Sequence, residues 1–172
     1  IMHFGTKHMK VLKFGGTSVG SAESIRNVRN IIEAQSGRKI VVVSAMSGVT
    51  NRLVELFTEV KHGNQNNVDQ ILLELKLKHL QLIEELLESE KNKRATENLF
   101  LEVFNELQEV IKEKSTSEAE IITFGETFLS LIFSKYLEEK GTSNTLLDAK
   151  EFMHVSNVEN PEILTAVSYT HM

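Results

Sequence analysis

Val11-Leu12-Lys13-Phe14-Gly15-Gly16-Thr17-Ser18-Val19-Gly20 opens as a short apolar run carrying one charge, then breaks on two glycines. The run Val11 to Phe14 predicts a short buried strand. Thr17, Ser18 and Ser21 supply hydroxyls, and a helical period begins at Ala22. Strand, glycine turn and helix together aim free backbone N–H groups and a helix N-terminus at an anion. Glycines let a phosphate reach the backbone without a Cβ in the way. Lys13 is a fixed cation just before the turn. These residues describe a phosphate cradle. As a bare glycine pattern the signal is weak: it is neither the G-x-x-x-x-G-K-[ST] loop nor the G-x-G-x-x-G fingerprint, and its lysine precedes the glycines. An ordinary strand-to-helix turn stays open as the alternative.

Working outward, Ser21 is a plausible N-cap. Ile25, Val28, Ile31 and Ile32 repeat at helical spacing, and Gly37 follows as the expected stop. Arg26, Arg29 and Arg38 fall mostly off that apolar face, as a solvated face or as anion ligands. Ile40 to Val43 is a continuous β-branched run, too short for a helix and without polar alternation. It predicts a strand buried on both faces, as in a parallel sheet. Residues 11–43 therefore form a βαβ unit with an expected right-handed crossover. Ligands of such sheets sit outside the carboxyl ends of the strands, so Gly15-Gly16 and the next loop share one edge.

That next loop, Ser44-Ala45-Met46-Ser47-Gly48-Val49-Thr50-Asn51, is small and hydroxyl-rich. It leads into a helix with Leu53, Leu56, Phe57 and Val60 on one face, which Thr50 or Asn51 would cap. Gly63 and residues 64–67 read as a polar break. Two long amphipathic stretches follow, with the helical segment spanning 68–113 and Lys91 to Arg94 as the turn between them. His79 falls in the polar pattern and is assigned no chemistry. Ser115-Thr116-Ser117-Glu118 offers hydroxyl caps for another helix, in which Gly125 stands out. A glycine inside a helix costs about 1 kcal/mol relative to alanine, so close approach of a ligand or another backbone is expected there. Glu126, beside Phe124, Phe128 and Leu129, calls for a cationic partner. Gly141 ends this helix. Asn144 to Leu147 reads as a third strand closing on Asp148-Ala149-Lys150.

The totals narrow the class. With 172 residues the chain is long enough for one domain with a real core. A net charge of -5 supplies no basic footprint for nucleic acid. No apolar run approaches the ~20 residues that span a bilayer. There is no cysteine, which fits a reducing compartment and rules out a thiol nucleophile. Residues 1–8 read as a tag or short N-terminal extension with no signal-peptide pattern.

Taken as whole strings, the motifs carry more. Lys13-Phe14-Gly15-Gly16-Thr17-Ser18 resembles the N-terminal signature of aspartate kinases, in the amino-acid kinase superfamily. Residues 44–51 resemble the family's S-A-M-x-G-x-T-N segment, and Phe124-Gly125-Glu126-Thr127-Phe128-Leu129-Ser130 its G-E-x-x-S element. Asp148-Ala149-Lys150 departs from the usual D-x-R, since lysine keeps the charge but loses the planar fork. The family's Gly-Arg-Gly-Gly-Ser-Asp element is absent.

The resemblance implies an α/β fold: a three-layer αβα sandwich with a mainly parallel sheet, truncated and helix-rich. Residues 9–172 would be the N-terminal, substrate-side portion of the catalytic domain. It implies phosphoryl transfer from ATP, with Mg2+, to the side-chain carboxylate of L-aspartate. That reaction is the first step of lysine, threonine and methionine biosynthesis. It further implies a cytoplasmic location, a homo-oligomer at full length, and a fragment inactive alone. The catalytic residues implied are Lys13, bridging the β- and γ-phosphates, and Gly15 and Gly16, whose N–H groups receive phosphoryl oxygens. Substrate-binding residues implied are Thr17, Ser18, Ser44, Thr50 and Glu126. Two other classes stay open: a superfamily member acting on glutamate or a carbamate, and a non-catalytic binding module.

Overall fold

The protein is described from a computed structural model covering residues 9–113 and 115–147, with the backbone of Met153–Val155 and Ile163–Ala166. Residues 1–8, Asp148 and Lys150 lie outside the described residues. Strand β1 (Lys10–Phe14) leads through a 3-10 turn (Gly16–Val19) into helix α1 (Ala22–Glu33) and then strand β2 (Lys39–Val43). Helices α2 (Val49–His62), α3 (Gln65–Leu86), α4 (Glu90–Val110) and α5 (Glu118–Glu139) follow. Strands β3 (Met153–Val155) and β4 (Ile163–Ala166) form an antiparallel pair.

The expected βαβ unit is present. β1 and β2 pair in parallel with Phe14 opposite Val43 and Lys13 opposite Val42. Side chains alternate across a strand, so Leu12, Phe14, Val41 and Val43 share one face. That face packs on the helical core. The opposite face carries Lys13, with Val11 65% and Val42 43% exposed. The expectation of strands buried on both faces is therefore corrected: among the described residues, helices cover one face of the pair.

Ser21 caps α1 as expected, its hydroxyl accepting the Ser24 N–H at 3.2 Å. The helix ends at Glu33, before Gly37, and Ile31 is exposed; the buried stripe is Ala22, Ile25, Val28 and Ile32. Arg26 donates to the Glu85 carbonyl and so ties α1 to α3, and Arg29 pairs with Glu33 at 2.8 Å along α1 itself. Residues 65–67 belong to α3, not to a break, because Gly63 (φ 70°) makes the turn by itself.

The turn between the long helices sits before Lys91. Ser89 caps α4, and the Glu139 carboxylate of α5 accepts the N–H groups of Glu88 (2.9 Å) and Ser89 (3.0 Å). Helix α5 starts on a capping box in which the Ser117 hydroxyl and Glu120 carboxylate satisfy each other's N–H groups. Asn144 to Leu147 forms no strand. The Asn144 amide is instead spent on the Ser134 carbonyl and hydroxyl of α5, and Leu146 and Leu147 stay exposed. No helix among the described residues is long and apolar enough to cross a membrane.

His79 is not a polar-face residue. It is fully buried where α3, α4 and α5 meet, stacked on Phe100 (5.4 Å between centroids) and edge-on to Phe128 (5.1 Å). Its Nδ1 lies 2.7 Å from the Leu75 carbonyl oxygen, and since a carbonyl only accepts, Nδ1 carries the proton. Its Nε2 has no partner among the described residues. Burial, against the pull of the Leu75 carbonyl, lowers the His79 pKa to about 4. An unfolded His79 takes up its proton near pH 6.5. Between those values the unfolded chain binds more protons, so this contribution is complete above pH 6.5. It is lost as pH falls toward 4, by about 3 kcal/mol. Urea unfolding at pH 7 and pH 4.5 should therefore lose less stability in His79→Leu than in the wild type. Equal losses would mean that His79 does not titrate as its burial demands.

Candidate functional site

The parallel pairing brings the ends of β1 and β2 side by side, and the Ser44 N–H donates to the Phe14 carbonyl at 3.0 Å. The two loops that leave them are in contact. A Cβ placed on Gly16 would lie 3.1 Å from the Ala45 carbonyl oxygen and 3.8 Å from the Ser47 nitrogen. One on Gly20 would lie 3.2 Å from the Ser47 Cβ. The loop behind these two glycines leaves little room for a side chain. Gly15 differs. Its backbone is ordinary extended (φ -77°, ψ 170°), and a Cβ there would meet nothing within 4 Å.

The second loop enters α2 by a route the sequence disguises. Gly48 is the N-cap, in the left-handed region at φ 80°, and no side chain caps the helix. Thr50 and Asn51 are therefore not caps; they lie in the first turn, both exposed. The hydroxyls of Thr17, Ser18, Ser44 and Thr50 make no hydrogen bond among the described residues. Thr17 and Ser18 are exposed on the 3-10 turn, and Ser44 is half-buried.

Helix α5 reaches the same place. A Cβ on Gly125 would lie 2.7 Å from the Ala45 Cβ, 3.2 Å from the Leu53 Cδ1 and 3.3 Å from the Val49 Cγ1. Close approach explains this glycine, as its cost within a helix requires. Glu126 is exposed as a residue, but its carboxyl is turned back on the loop and partly desolvated. That desolvation raises its pKa, opposed by hydrogen bonds from the backbone N–H groups of Glu126 and Ala45. The expected cationic partner is absent among the described residues; N–H groups take that role.

Lys13 is exposed at the end of β1, on the uncovered sheet face, and forms no ion pair among the described residues. Sequence reasoning missed Lys78 of α3, whose ammonium donates to the Ser47 carbonyl at 2.7 Å. No local motif marks that lysine. Beside it, Gly48, Asn51, Arg52, Glu74 and Leu75 line a cleft between α2 and α3. Three segments far apart in sequence thus converge on Ala45–Ser47. Among the described residues, no group of three or more His, Cys, Asp or Glu side chains could hold a metal.

Comparison with known proteins bears on the family and the fold. The model of the amino acid kinase family matches residues 8–169. Aspartokinase 2, chloroplastic, of Arabidopsis thaliana is 31% identical over 167 residues, covering 91% of this chain and 30% of that protein. The aspartokinase of Chlamydia trachomatis is 33% identical over 126 residues, covering 73% of this chain and 27% of that protein. The chain thus spans less than a third of the length of these curated relatives. The structure of E. coli aspartokinase III in complex with aspartate and ADP superimposes with a TM-score of 0.78. It is 22% identical and covers 91% of this chain and 35% of that one. The fold is therefore that of the aspartokinases. The match over residues 8–169 makes this chain a member of the amino acid kinase family, with aspartokinases among its relatives.

Proposed function

We propose that residues 9–172 form the N-terminal, substrate-side portion of a catalytic domain that phosphorylates the side-chain carboxylate of L-aspartate with ATP. The observation that carries this reading is the convergence of the glycine loop, the Ser44–Asn51 loop and the Gly125–Glu126 turn of α5 on Ala45–Ser47. The names of the relatives support the substrates. Aspartate and ADP are bound together in the E. coli enzyme of this fold.

The chemistry fits the residue types. A carboxylate with an ordinary pKa of about 4 is ionised at pH 7 and needs no general base. One of its oxygens attacks the γ-phosphorus, the bond to the β,γ-bridging oxygen breaks, and ADP leaves. The protein must hold two anions together and stabilise charge that spreads over the phosphoryl oxygens. Lys13 would meet the β- and γ-phosphates, and the Gly15 and Gly16 N–H groups would meet the transferring oxygens. Thr17, Ser18, Ser44 and Thr50 offer hydroxyls, and the Glu126 carboxylate suits the α-ammonium of aspartate. Mg2+ would supply charge neutralisation. With no protein cage among the described residues, it would be held chiefly by the phosphates and water. The complete protein would be a homo-oligomer.

The test is ATP consumption by the complete protein with L-aspartate, with glutamate and with carbamate. Aspartate-dependent turnover, with an acyl phosphate trapped by hydroxylamine, is expected. Turnover with another acceptor alone, or none, overturns the reading. Gly15→Ala refines it. Its methyl meets no neighbour and its φ is ordinary, so melting should stay unchanged while turnover falls about 100-fold, as when an oxyanion donor is obstructed. Unchanged turnover in Gly15→Ala would remove the phosphate cradle from Gly15.

A further inference from the structure

The Ser47 carbonyl has an unusual partner. Lys78 lies 31 residues away on α3, yet its ammonium spends itself on this one backbone oxygen at 2.7 Å. It forms no ion pair among the described residues. Glu74, one turn earlier on the same helix, is engaged by Arg52 of α2 and Gln70. A surface lysine ordinarily keeps its head in water. This one grips the peptide that joins Ser47 to Gly48.

That peptide is free to turn over unless something fixes it. Gly48 adopts φ 80°, and glycine takes either sign of φ at little cost. In a trans peptide the carbonyl and the following N–H point in opposite directions. With the Ser47 carbonyl drawn toward α3, the Gly48 N–H points away from α3. On its other side Ser47 lies close to the glycine loop: a Cβ on Gly16 would be 3.8 Å from its nitrogen, and one on Gly20 would be 3.2 Å from its Cβ. Helix α3, Ser47 and the glycine loop are therefore stacked in series.

We propose that Lys78 is a positioning residue. Its ammonium fixes the Ser47–Gly48 peptide, and through it seats the Ser44–Asn51 loop against the glycine loop. The consequence for aspartate binding rests on the function proposed above; the seating itself does not. A charge-assisted hydrogen bond of this kind is stronger than a neutral one. Its loss should release both loops without unfolding the helices, since Lys78 is exposed.

The test uses the whole chain as wild type, Lys78→Met, Lys78→Gln and Lys78→Arg. Amide hydrogen exchange is followed without ligand, and L-aspartate affinity by calorimetry. In Lys78→Met and Lys78→Gln, exchange at residues 16–20 and 47–50 should quicken about tenfold, with amides in α4 and α5 unchanged. Aspartate binding should weaken about tenfold. Lys78→Arg should restore both, because its guanidinium also donates to a carbonyl. Unchanged loop exchange in both neutral variants, or a rise spread evenly over all helices, overturns the proposal. If the wild type binds no aspartate but the loops still loosen, the positioning role stands and the substrate assignment fails.

Discussion

Gly125→Ala is expected to destabilise the protein even though it replaces a poor helix former with the best one. Alanine gains about 1 kcal/mol in a helix interior relative to glycine. Against this, the new methyl would sit 2.7 Å from the Ala45 Cβ, with the Leu53 Cδ1 at 3.2 Å and the Val49 Cγ1 at 3.3 Å. Leu53 can adjust a terminal methyl. Ala45 cannot, because its Cβ moves only with the backbone of the loop. Overpacking of this kind costs typically 1–3 kcal/mol, so the net effect of Gly125→Ala is a loss of about 1 kcal/mol. Gly125→Val adds two methyls and the χ1 restriction of a β-branched residue in a helix. Its expected loss is about 3 kcal/mol or more, which for a chain of this size lowers the melting temperature by roughly 10 °C. Both variants should also displace Ala45 from the Glu126 carboxylate, so aspartate binding should weaken more than stability predicts. Calorimetric melting with aspartate titration measures both. A Gly125→Val protein as stable as the wild type would mean that α5 does not approach the loop this closely.

The parts of this fold that were legible are those with a local physical cause. The β-branched run at Ile40–Val43, the Ser21 cap and the hydroxyl run Ser115-Thr116-Ser117 ahead of Glu118 each specify their element without outside help, although the acid that closes the capping box with Ser117 is Glu120. The errors have local causes as well. His79 reads as part of the polar pattern, yet its spacing from Leu72, Leu75, Leu82, Ile83 and Leu86 follows the buried stripe of α3. Lys91 to Arg94 suggested a turn by charge, although lysine and arginine are good helix formers and Ser89 was available as the cap. Thr50 looked like a cap because a backbone cap made by Gly48 leaves no side-chain signature. Asn144 to Leu147 has strand composition, but its fate depends on Asn144 reaching Ser134.

The site divides in the same way. Its pieces were visible as short strings, and the adjacency of the first two loops follows from parallel pairing alone. Their joint dependence on Ala45 and Ser47, small residues that serve through backbone and bulk, was not visible, because nothing in an alanine's neighbourhood announces that a glycine 80 positions later must make room for it. The hydrogen bond from Lys78 is of the same kind: a contact of high sequence separation, made by a residue type that is usually solvated.

Lys13→Ala is expected to fold normally and to lose about 1000-fold in turnover in the complete protein. Folding should be spared because Lys13 is exposed and its face of the β1–β2 pair carries no packed helix among the described residues. It forms no ion pair among the described residues, so its removal strands no buried charge. The loss of activity follows from charge. As the γ-phosphoryl group transfers, negative charge builds on the β,γ-bridging oxygen, and a fixed cation there stabilises the transition state more than the ground state. Removing one preorganised donor of this type typically costs 100- to 1000-fold in rate, and a full positive charge belongs at the upper end. The fall should therefore appear mainly in kcat, with a smaller rise in KM for ATP from the weaker ground-state grip. Lys13→Arg keeps the charge on a longer, planar head and should recover only part of the rate. Urea unfolding of the same samples separates this outcome from misfolding. If Lys13→Ala turns over like the wild type, the end of β1 is not where the phosphates bind. If only KM rises, Lys13 contributes uniform binding and the catalytic charge must come from elsewhere in the complete site.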